Sequence, residues 1–212
     1  MQRRWIVMGE QVGLTAIVRE EFVARWDSYN DPELAMLLTY PTSQRKTTPL
    51  ARPPITREQR EAAWEMISDS PEIAAFEIRT VDDQRFVGEG SLNRISWPSA
   101  SAEIAVAILD PEDRGSGFGT EAALLMAAYA FDGLGLHRVT LRYLAVNDAV
   151  SRGVERGADA FGARIVGVER ESEWAYGRWQ DTVLVEILAS EFPPHPATAA
   201  LRGERLGAHL HV

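Results

Sequence analysis

Three alternating glycines in Arg114-Gly115-Ser116-Gly117-Phe118-Gly119-Thr120, a glutamate at Glu103 and an asparagine at Asn147 are the residues of this chain whose types and spacing could do chemistry. Glycine has no Cβ, so successive backbone N–H groups can turn toward one point. A helix expected to begin near Thr120 adds its unpaired donors and the positive end of its dipole at the same place. The stretch therefore reads as a cradle for a pyrophosphate, with Arg114 supplying charge to that anion. Alternation along a strand expected at Ala102 to Leu109 puts Glu103, Ala105, Ala107 and Leu109 on one face and Ala102, Ile104, Val106 and Ile108 on the other. A carboxylate thus heads a face of small side chains. Asn147 followed by Asp148 has the chemistry of a helix N-cap.

The elements that must position these residues can be taken in order. Val12 to Val18 reads as a strand, and a helical pattern from Glu20, with Phe22, Val23 and Trp26 apolar, stops before Asn30-Asp31-Pro32. A short helix around Glu33 to Leu38 follows. Tyr40 to Ile55 carries Pro41, Pro49, Pro53 and Pro54 and reads as a long loop, either a wall of the site or a solvated excursion. Thr56 and Gln59 form a capping box that predicts a helix from Arg57 to Ser68, with Ala63, Met66 and Ile67 toward the core. Strands at Ile73 to Thr80, Arg85 to Asn93 and Ala102 to Leu109 are joined by turns short enough for an antiparallel meander.

Past the glycines, Leu124, Ala127, Ala128, Phe131 and Leu134 form one stripe of the predicted helix, which Gly133 and Gly135 close. His137 to Val146 is a strand, and the helix before it makes it parallel to Ala102 to Leu109 through a right-handed crossover. A helix over Ala149 to Phe161 is a poor one by propensity, because Gly153 and Gly157 each cost about 1 kcal/mol relative to alanine. Strands at Arg164 to Val168 and Thr182 to Leu188 end the domain, with a hairpin turn at Tyr176-Gly177-Arg178. The boundaries are 1–188 for a single domain and 189–212 for a C-terminal extension.

Bulk composition narrows the field. A chain of 212 residues with 45% hydrophobic residues suits one α/β domain. The formal net charge of -9 argues against a basic footprint for nucleic acid and is compatible with a cationic substrate. Absence of cysteine excludes disulfides, thiolate nucleophiles and cysteine zinc sites, and His195, His209 and His211 lack metal-ligand spacing, so no metal is expected. The apolar run near Met1 is too short for a signal peptide, and no stretch is long enough for a transmembrane helix. A soluble, cytoplasmic protein with no membrane partner is expected, and a homodimer is left open.

Three phosphate-binding readings compete for the glycines. A P-loop needs a lysine that the segment lacks. Gly117-Phe118-Gly119-Thr120-Glu121-Ala122 fits a dinucleotide fingerprint, but it lies mid-chain after an antiparallel meander, and the next strand ends in Asn147 rather than in an acid for the ribose. Third, Arg114-Gly115-Ser116-Gly117-Phe118-Gly119 is similar to the Arg/Gln-x-x-Gly-x-Gly/Ala signature of the GNAT N-acetyltransferases. Ala102-Glu103-Ile104, Asp110-Pro111, Tyr129-Ala130-Phe131, Gly135-Leu136-His137-Arg138-Val139, Asn147, Ala175-Tyr176-Gly177-Arg178-Trp179-Gln180-Asp181 and Asn30-Asp31-Pro32 resemble the subgroup that acetylates the N-termini of ribosomal proteins. The likeness covers roughly residues 12–188.

The resemblance implies a GNAT-like α/β (α+β) domain: a mixed, mostly antiparallel sheet with a splayed central parallel strand pair, flanked by helices. It implies acetyl-CoA as cofactor and direct transfer of acetyl to a primary amine, on a protein N-terminus or a small molecule. Cofactor contacts would come from the backbone at Ala107, Ile108 and Leu109, from Arg114, Gly115, Ser116, Gly117, Phe118, Gly119 and Thr120, and from Asn147. Glu103 is the candidate general base, acting through water, with Asn147 and Ser151 as further catalytic candidates. One departure stands out: the family commonly has a tyrosine about seven residues past this asparagine, as proton donor to the thiolate, and here Val154 occupies that position. Counting back from Gly162 reaches Ala158. Tyr143, Tyr176 and His137 read as structural, as do Trp64, Trp97, Trp174 and Trp179 individually. The alternative is a catalytically weak acyl-CoA-binding or regulatory protein.

Overall fold

The computed structural model describes residues 3–38 and 54–203. Most of the proline-rich loop expected at Tyr40 to Ile55 and the last nine residues lie outside them. Eight strands form one sheet: β1 (Trp5–Met8), β2 (Val12–Ala16), β3 (Ala74–Thr80), β4 (Phe86–Ser96), β5 (Ser101–Ile108), β6 (Arg138–Leu144), β7 (Arg164–Ala175) and β8 (Arg178–Leu188), in the order β1-β2-β3-β4-β5-β6-β8-β7. Every neighbouring pair is antiparallel except β5 and β6, which run parallel because the helix between them carries the chain back across the sheet. The described residues hold five α-helices, α1 (Arg19–Ala24), α2 (Pro32–Leu37), α3 (Arg57–Ser68), α4 (Phe118–Ala128) and α5 (Asp148–Phe161). Among the described residues, no helix is long and apolar enough to cross a membrane.

The main core lies between one sheet face and α4. Leu14, Ile78, Leu92, Ile104 and Val185 from five strands meet Ala122, Leu125, Met126 and Ala130 from the helix and its continuation, all buried. The helix is buried nearly all round rather than along the expected stripe: Leu124 is only half-buried, while Leu125 and Met126 are fully enclosed. It also starts two residues earlier than Thr120 and ends in a π-helical turn, Tyr129–Gly133. On the opposite face α3 reaches β4 through Arg60 and Glu89, Arg25 at the end of α1 reaches Glu77 of β3, and Leu34 of α2 packs on Ala107 and Leu109. The capping box of α3 forms as the sequence predicts, Gln59 N donating to Thr56 Oγ1 and Thr56 N to Gln59 Oε1. Met66, expected inside, is 59% exposed, and the residue α3 buries most is Arg60.

Helix α5 forms despite its glycines. A Cβ on Gly153 would stand 2.9 Å from Thr120 Oγ1, so glycine there is what lets α5 lie directly against the start of α4. Tertiary contact outweighs the local propensity cost.

After β8 the described residues 189–203 pack back on the domain. Phe192 meets Phe131 and Phe161 at ring-centroid distances of 5.3 and 5.9 Å. Asp132 then accepts from Thr198 Oγ1 at 2.5 Å and from Arg202 at 2.6 Å. His195 stacks on Phe192 and accepts from Ala197 N through Nδ1, and desolvation holds its imidazole below the ordinary value of 6.5. Because the unfolded state takes up this proton first, His195 contributes stability that is present above pH 6.5 and lost as pH falls through the lower folded value. Melting temperature is expected to fall from neutral pH toward mildly acidic pH, and His195→Gln should flatten that part of the profile; an unchanged slope in the variant would exclude His195 as its source.

Candidate active site

The parallel pair is where the sheet opens. Strands β5 and β6 are in register from Ser101 with Arg138 to Ile104 with Leu141 and then part, although β5 continues to Ile108 and β6 to Leu144. Along its other edge β5 stays paired to β4 as far as Ile108 with Gly88, and Leu109 N donates to Val87 O at 3.1 Å. Peptide groups alternate sides along an antiparallel strand, so Ala107 and the Leu109 N–H face β4 while Val106 and the Ile108 N–H turn into the opening, the carbonyls of Ile108 and Leu109 being taken by Arg114. Of the three backbone positions singled out from the sequence, Ile108 therefore faces the gap. Val106 was missed, and counting by twos from a paired position would have found it. The side chains of Ala107 and Leu109 pack with Leu34 of α2 instead.

At the wide end of the opening the chain turns through the glycines. Asp110 accepts from Glu112 N at 3.0 Å, starting a 3-10 turn over Pro111–Asp113. Asp113 then accepts from Arg85 Nη1 and Nη2, at 2.6 and 2.8 Å, a contact that holds its carboxyl below the usual carboxylate range. Ser116 Oγ donates to Asp113 O at 2.6 Å. Gly115 and Gly117 sit at φ +81 and +98, a region that residues with a Cβ rarely adopt. Gly117 is the N-cap of α4 and offers no side chain to it; Phe118 N makes a long bond to Ser116 Oγ at 3.4 Å, and the N–H groups of Gly119 and Thr120 stand where an anion could take them. Gly119 lies against Val106 and Ile108, its added Cβ position being 3.7 and 3.5 Å from their side chains, which fixes the cradle to the splayed strand.

Arg114 is used differently from the expectation of a phosphate ligand. Its Nη1 pairs with Asp31 Oδ1 at 2.7 Å and Glu33 Oε2 at 3.0 Å, while Nε and Nη2 donate to the carbonyls of Ile108 and Leu109 at 3.2 and 3.0 Å. Asp31 also caps α2 through Leu34 N, and that bond, followed by Arg114, keeps its carboxyl below the ordinary range. Arg114 therefore ties α2 to the strand end and the glycine turn. Its carboxylate partner Glu33 is 81 residues away in the chain, beyond the reach of local pattern.

Glu103 lies on the expected face, opposite Asn93 on β4 and Thr140 on β6, two residues short of the splay. Its side chain is 17% exposed and ion-paired to Arg94. Arg94 occupies a bulge in β4, where the register with β5 shifts between Asn93 and Ser96, and its φ is +50. Asn147 caps α5, accepting from Val150 N at 3.2 Å, which leaves its side-chain NH2 as the group it can offer a ligand. Ser151 follows one turn later. Val154, where the family pattern has its tyrosine, is buried in the core, and Ala158 faces solvent. Tyr176 is 52% exposed at the β7–β8 turn, and burial, together with the nearby Glu33 charge, pushes its hydroxyl up from 10.0.

A mixed sheet splayed at its one parallel pair, with a glycine turn and a helix start at the wide end, defines a GNAT-like fold. The sequence profile described as Acetyltransferase (GNAT) domain matches residues 13–156, and the chain belongs to this family. A probable N-acetyltransferase, YjcK of Bacillus subtilis (strain 168), is 31% identical over 113 residues, 53% of this chain and 60% of that protein's length. Spermidine N-acetyltransferase from Vibrio cholerae, solved with CoA and spermine, superposes with a TM-score of 0.70 at 20% identity, over 86% of this chain and 98% of that one. The crystal structure of a putative acetyltransferase matches with a TM-score of 0.60 at 24% identity, over 97% and 95% of the two chains. At these identities the structural matches carry the fold, not the substrate.

Proposed function

We propose that this protein is an acetyl-CoA-dependent N-acetyltransferase that transfers acetyl directly to a primary amine, working in the cytoplasm, with an acceptor that is a protein N-terminus or a small-molecule amine. The observation that carries this reading is the splay between β5 and β6 leading into the Gly115 to Gly119 turn: an edge for an extended amide-bearing arm ending at a cradle of backbone donors. The residues present fit the cofactor, since an open strand edge suits pantetheine and a glycine N-cap suits a pyrophosphate. When bound, acetyl-CoA supplies the activated thioester. Val106 through its peptide groups and Ile108 through its N–H hold the arm, and a backbone N–H at the opening polarises the acetyl carbonyl. Gly115, Ser116, Gly117, Phe118, Gly119 and Thr120 offer main-chain donors to the diphosphate, and Arg114 keeps that turn in place.

Glu103 takes a proton from the acceptor, directly or through water, as the amine nitrogen forms its bond to the acetyl carbon and the carbon–sulfur bond breaks. The leaving sulfur gains a proton from water or from the start of α5, where Asn147 and Ser151 lie. The burial of Val154 favours the runner-up, a weak acyl-CoA binder, because it removes the usual donor position. Thiol release from acetyl-CoA across a panel of primary amines tests both. Amine-dependent release supports the transferase, and CoA binding without it supports the binder. The sequence resemblance to ribosomal-protein N-terminal acetyltransferases makes a short peptide with a free N-terminus the first member of that panel. Spermidine is the second, from the Vibrio cholerae neighbour.

Gly117→Ala should strain the turn by about 1–3 kcal/mol. The KM for acetyl-CoA is therefore expected to rise roughly tenfold, with little change in the KM for the amine. Equal effects on both constants would detach the turn from the cofactor.

A further inference from the structure

On the open side of the sheet, Arg94, Ser101, Ala102, Glu103, Arg138 and Thr140 line a cavity of about 200 Å³. Ser101, Glu103, Arg138 and Thr140 share a face by register, because Ser101 lies opposite Arg138 and Glu103 opposite Thr140 across the parallel pair. Arg94 reaches the same place from the β4 bulge, whose left-handed backbone turns its side chain onto Glu103. The lining thus holds one carboxylate and two guanidinium groups. Glu103 is 17% exposed at its side chain, against 56% for Arg94 and 47% for Arg138, so the carboxylate is the deeper group and the arginines form the rim. Among the described residues Arg138 makes one ion pair, a long one at 3.4 Å to Glu186, which lies opposite Thr140 on β8 and borders the same face.

A substrate that reaches Glu103 must open the Arg94–Glu103 pair. A polycation satisfies Glu103 but brings its ammonium groups beside two arginines, and a simple amine leaves Arg94 without its counter-ion. An amine that carries a carboxylate a few ångströms away replaces the one ion pair with two: ammonium on Glu103, carboxylate on the guanidinium rim, where the planar fork of arginine matches it. We infer that the acceptor is an amino carboxylate, a free amino acid or a compound of that chemistry, with Glu103 receiving its ammonium and Arg94 and Arg138 its carboxylate. The inference rests on the acetyl-transfer reading and narrows its acceptor. Like-charge juxtaposition at the rim is what discriminates against polyamines.

Lysine and cadaverine differ only by the carboxylate and make the test direct. The kcat/KM for lysine is expected to exceed that for cadaverine by about tenfold or more. That ratio should fall toward unity in Arg138→Ala and recover in part in Arg138→Lys, and lysine amide should behave like cadaverine. Calorimetric titration of both compounds into the CoA-loaded protein gives a second readout that does not need turnover. Lysine binding more tightly, in an Arg138-dependent way, with no thiol release would uphold the acceptor site while sinking the transferase reading. Cadaverine or spermidine matching or exceeding lysine in both readouts overturns the inference and leaves the transferase reading standing. So does a lysine preference that Arg138→Ala does not alter. Should Arg138→Ala fail to fold, the wild-type comparison of lysine, lysine amide and cadaverine decides alone.

Discussion

Replacing Glu103 by glutamine is expected to lower turnover about 100-fold or more while leaving the KM for acetyl-CoA within about twofold. Among the described residues, the carboxylate is the one acidic side chain lining the cavity beside the splay, and it lies two residues from where β5 and β6 part. Glutamine keeps the volume and can still accept a bond from Arg94, so the fold should tolerate it, but it cannot take a proton. The loss should be largest at low pH, where most of the amine arrives protonated, and should shrink as pH rises and free amine becomes abundant. Steady-state kinetics from about pH 6 to about pH 9 would show this, and turnover equal to wild type throughout that range would remove Glu103 from the mechanism.

Breaking the buried pair between α3 and β4 should give the largest loss of stability. Arg60 and Glu89 are each 8% exposed at the side chain, and Arg60 Nη2 lies 2.9 and 2.8 Å from the two Glu89 oxygens. Tyr29 Oη donates to Glu89 at 2.7 Å, Arg60 donates to Phe22 O at 3.3 and 3.2 Å, and its guanidinium stacks 3.3 Å from the Phe22 ring centroid. Glu89→Ala leaves a buried guanidinium without its counter-ion, at a cost of about 3–5 kcal/mol. The double variant Arg60→Met with Glu89→Leu removes both charges and should recover most of that loss, because desolvating the pair offsets much of its attraction. Urea unfolding of the three proteins checks this. A double variant as unstable as Glu89→Ala would mean that packing and the Tyr29 bond, not the unpaired charge, dominate. Glu89 lies opposite Ala107 on β5, so the single variant should also disturb the strand that borders the opening.

Much of the fold was legible because local chemistry and periodicity speak for themselves. Thr56 and Gln59 announced α3, the alternation of residues 102–109 gave both faces of β5, and the helix between two strands required a parallel pair. Three alternating glycines before an apolar run marked the turn that Gly115 and Gly117 make at positive φ. Less legible were the contacts that depend on residues distant in the chain. Strand β7 runs to Ala175 rather than ending near Val168, because pairing with β8, not its own charged sequence, extends it. Strand β1 was not expected at all, since four residues gain their order only by pairing with β2.

By itself, then, the sequence determined the glycine turn, the helix it caps, the sense of the strand pair and the face of β5 that carries Glu103. Each follows from backbone sterics or from a repeat of two or 3.6 residues, and these act over a few positions. The tertiary structure alone decided that Arg114 holds α2 to the turn through Asp31 and Glu33, that Arg60 is buried against Glu89, and that a bulge aims Arg94 at Glu103. Charged side chains carry no periodic mark of their partners. Which carboxylate an arginine meets depends on which strands and helices are brought together, and only the folded sheet brings them there.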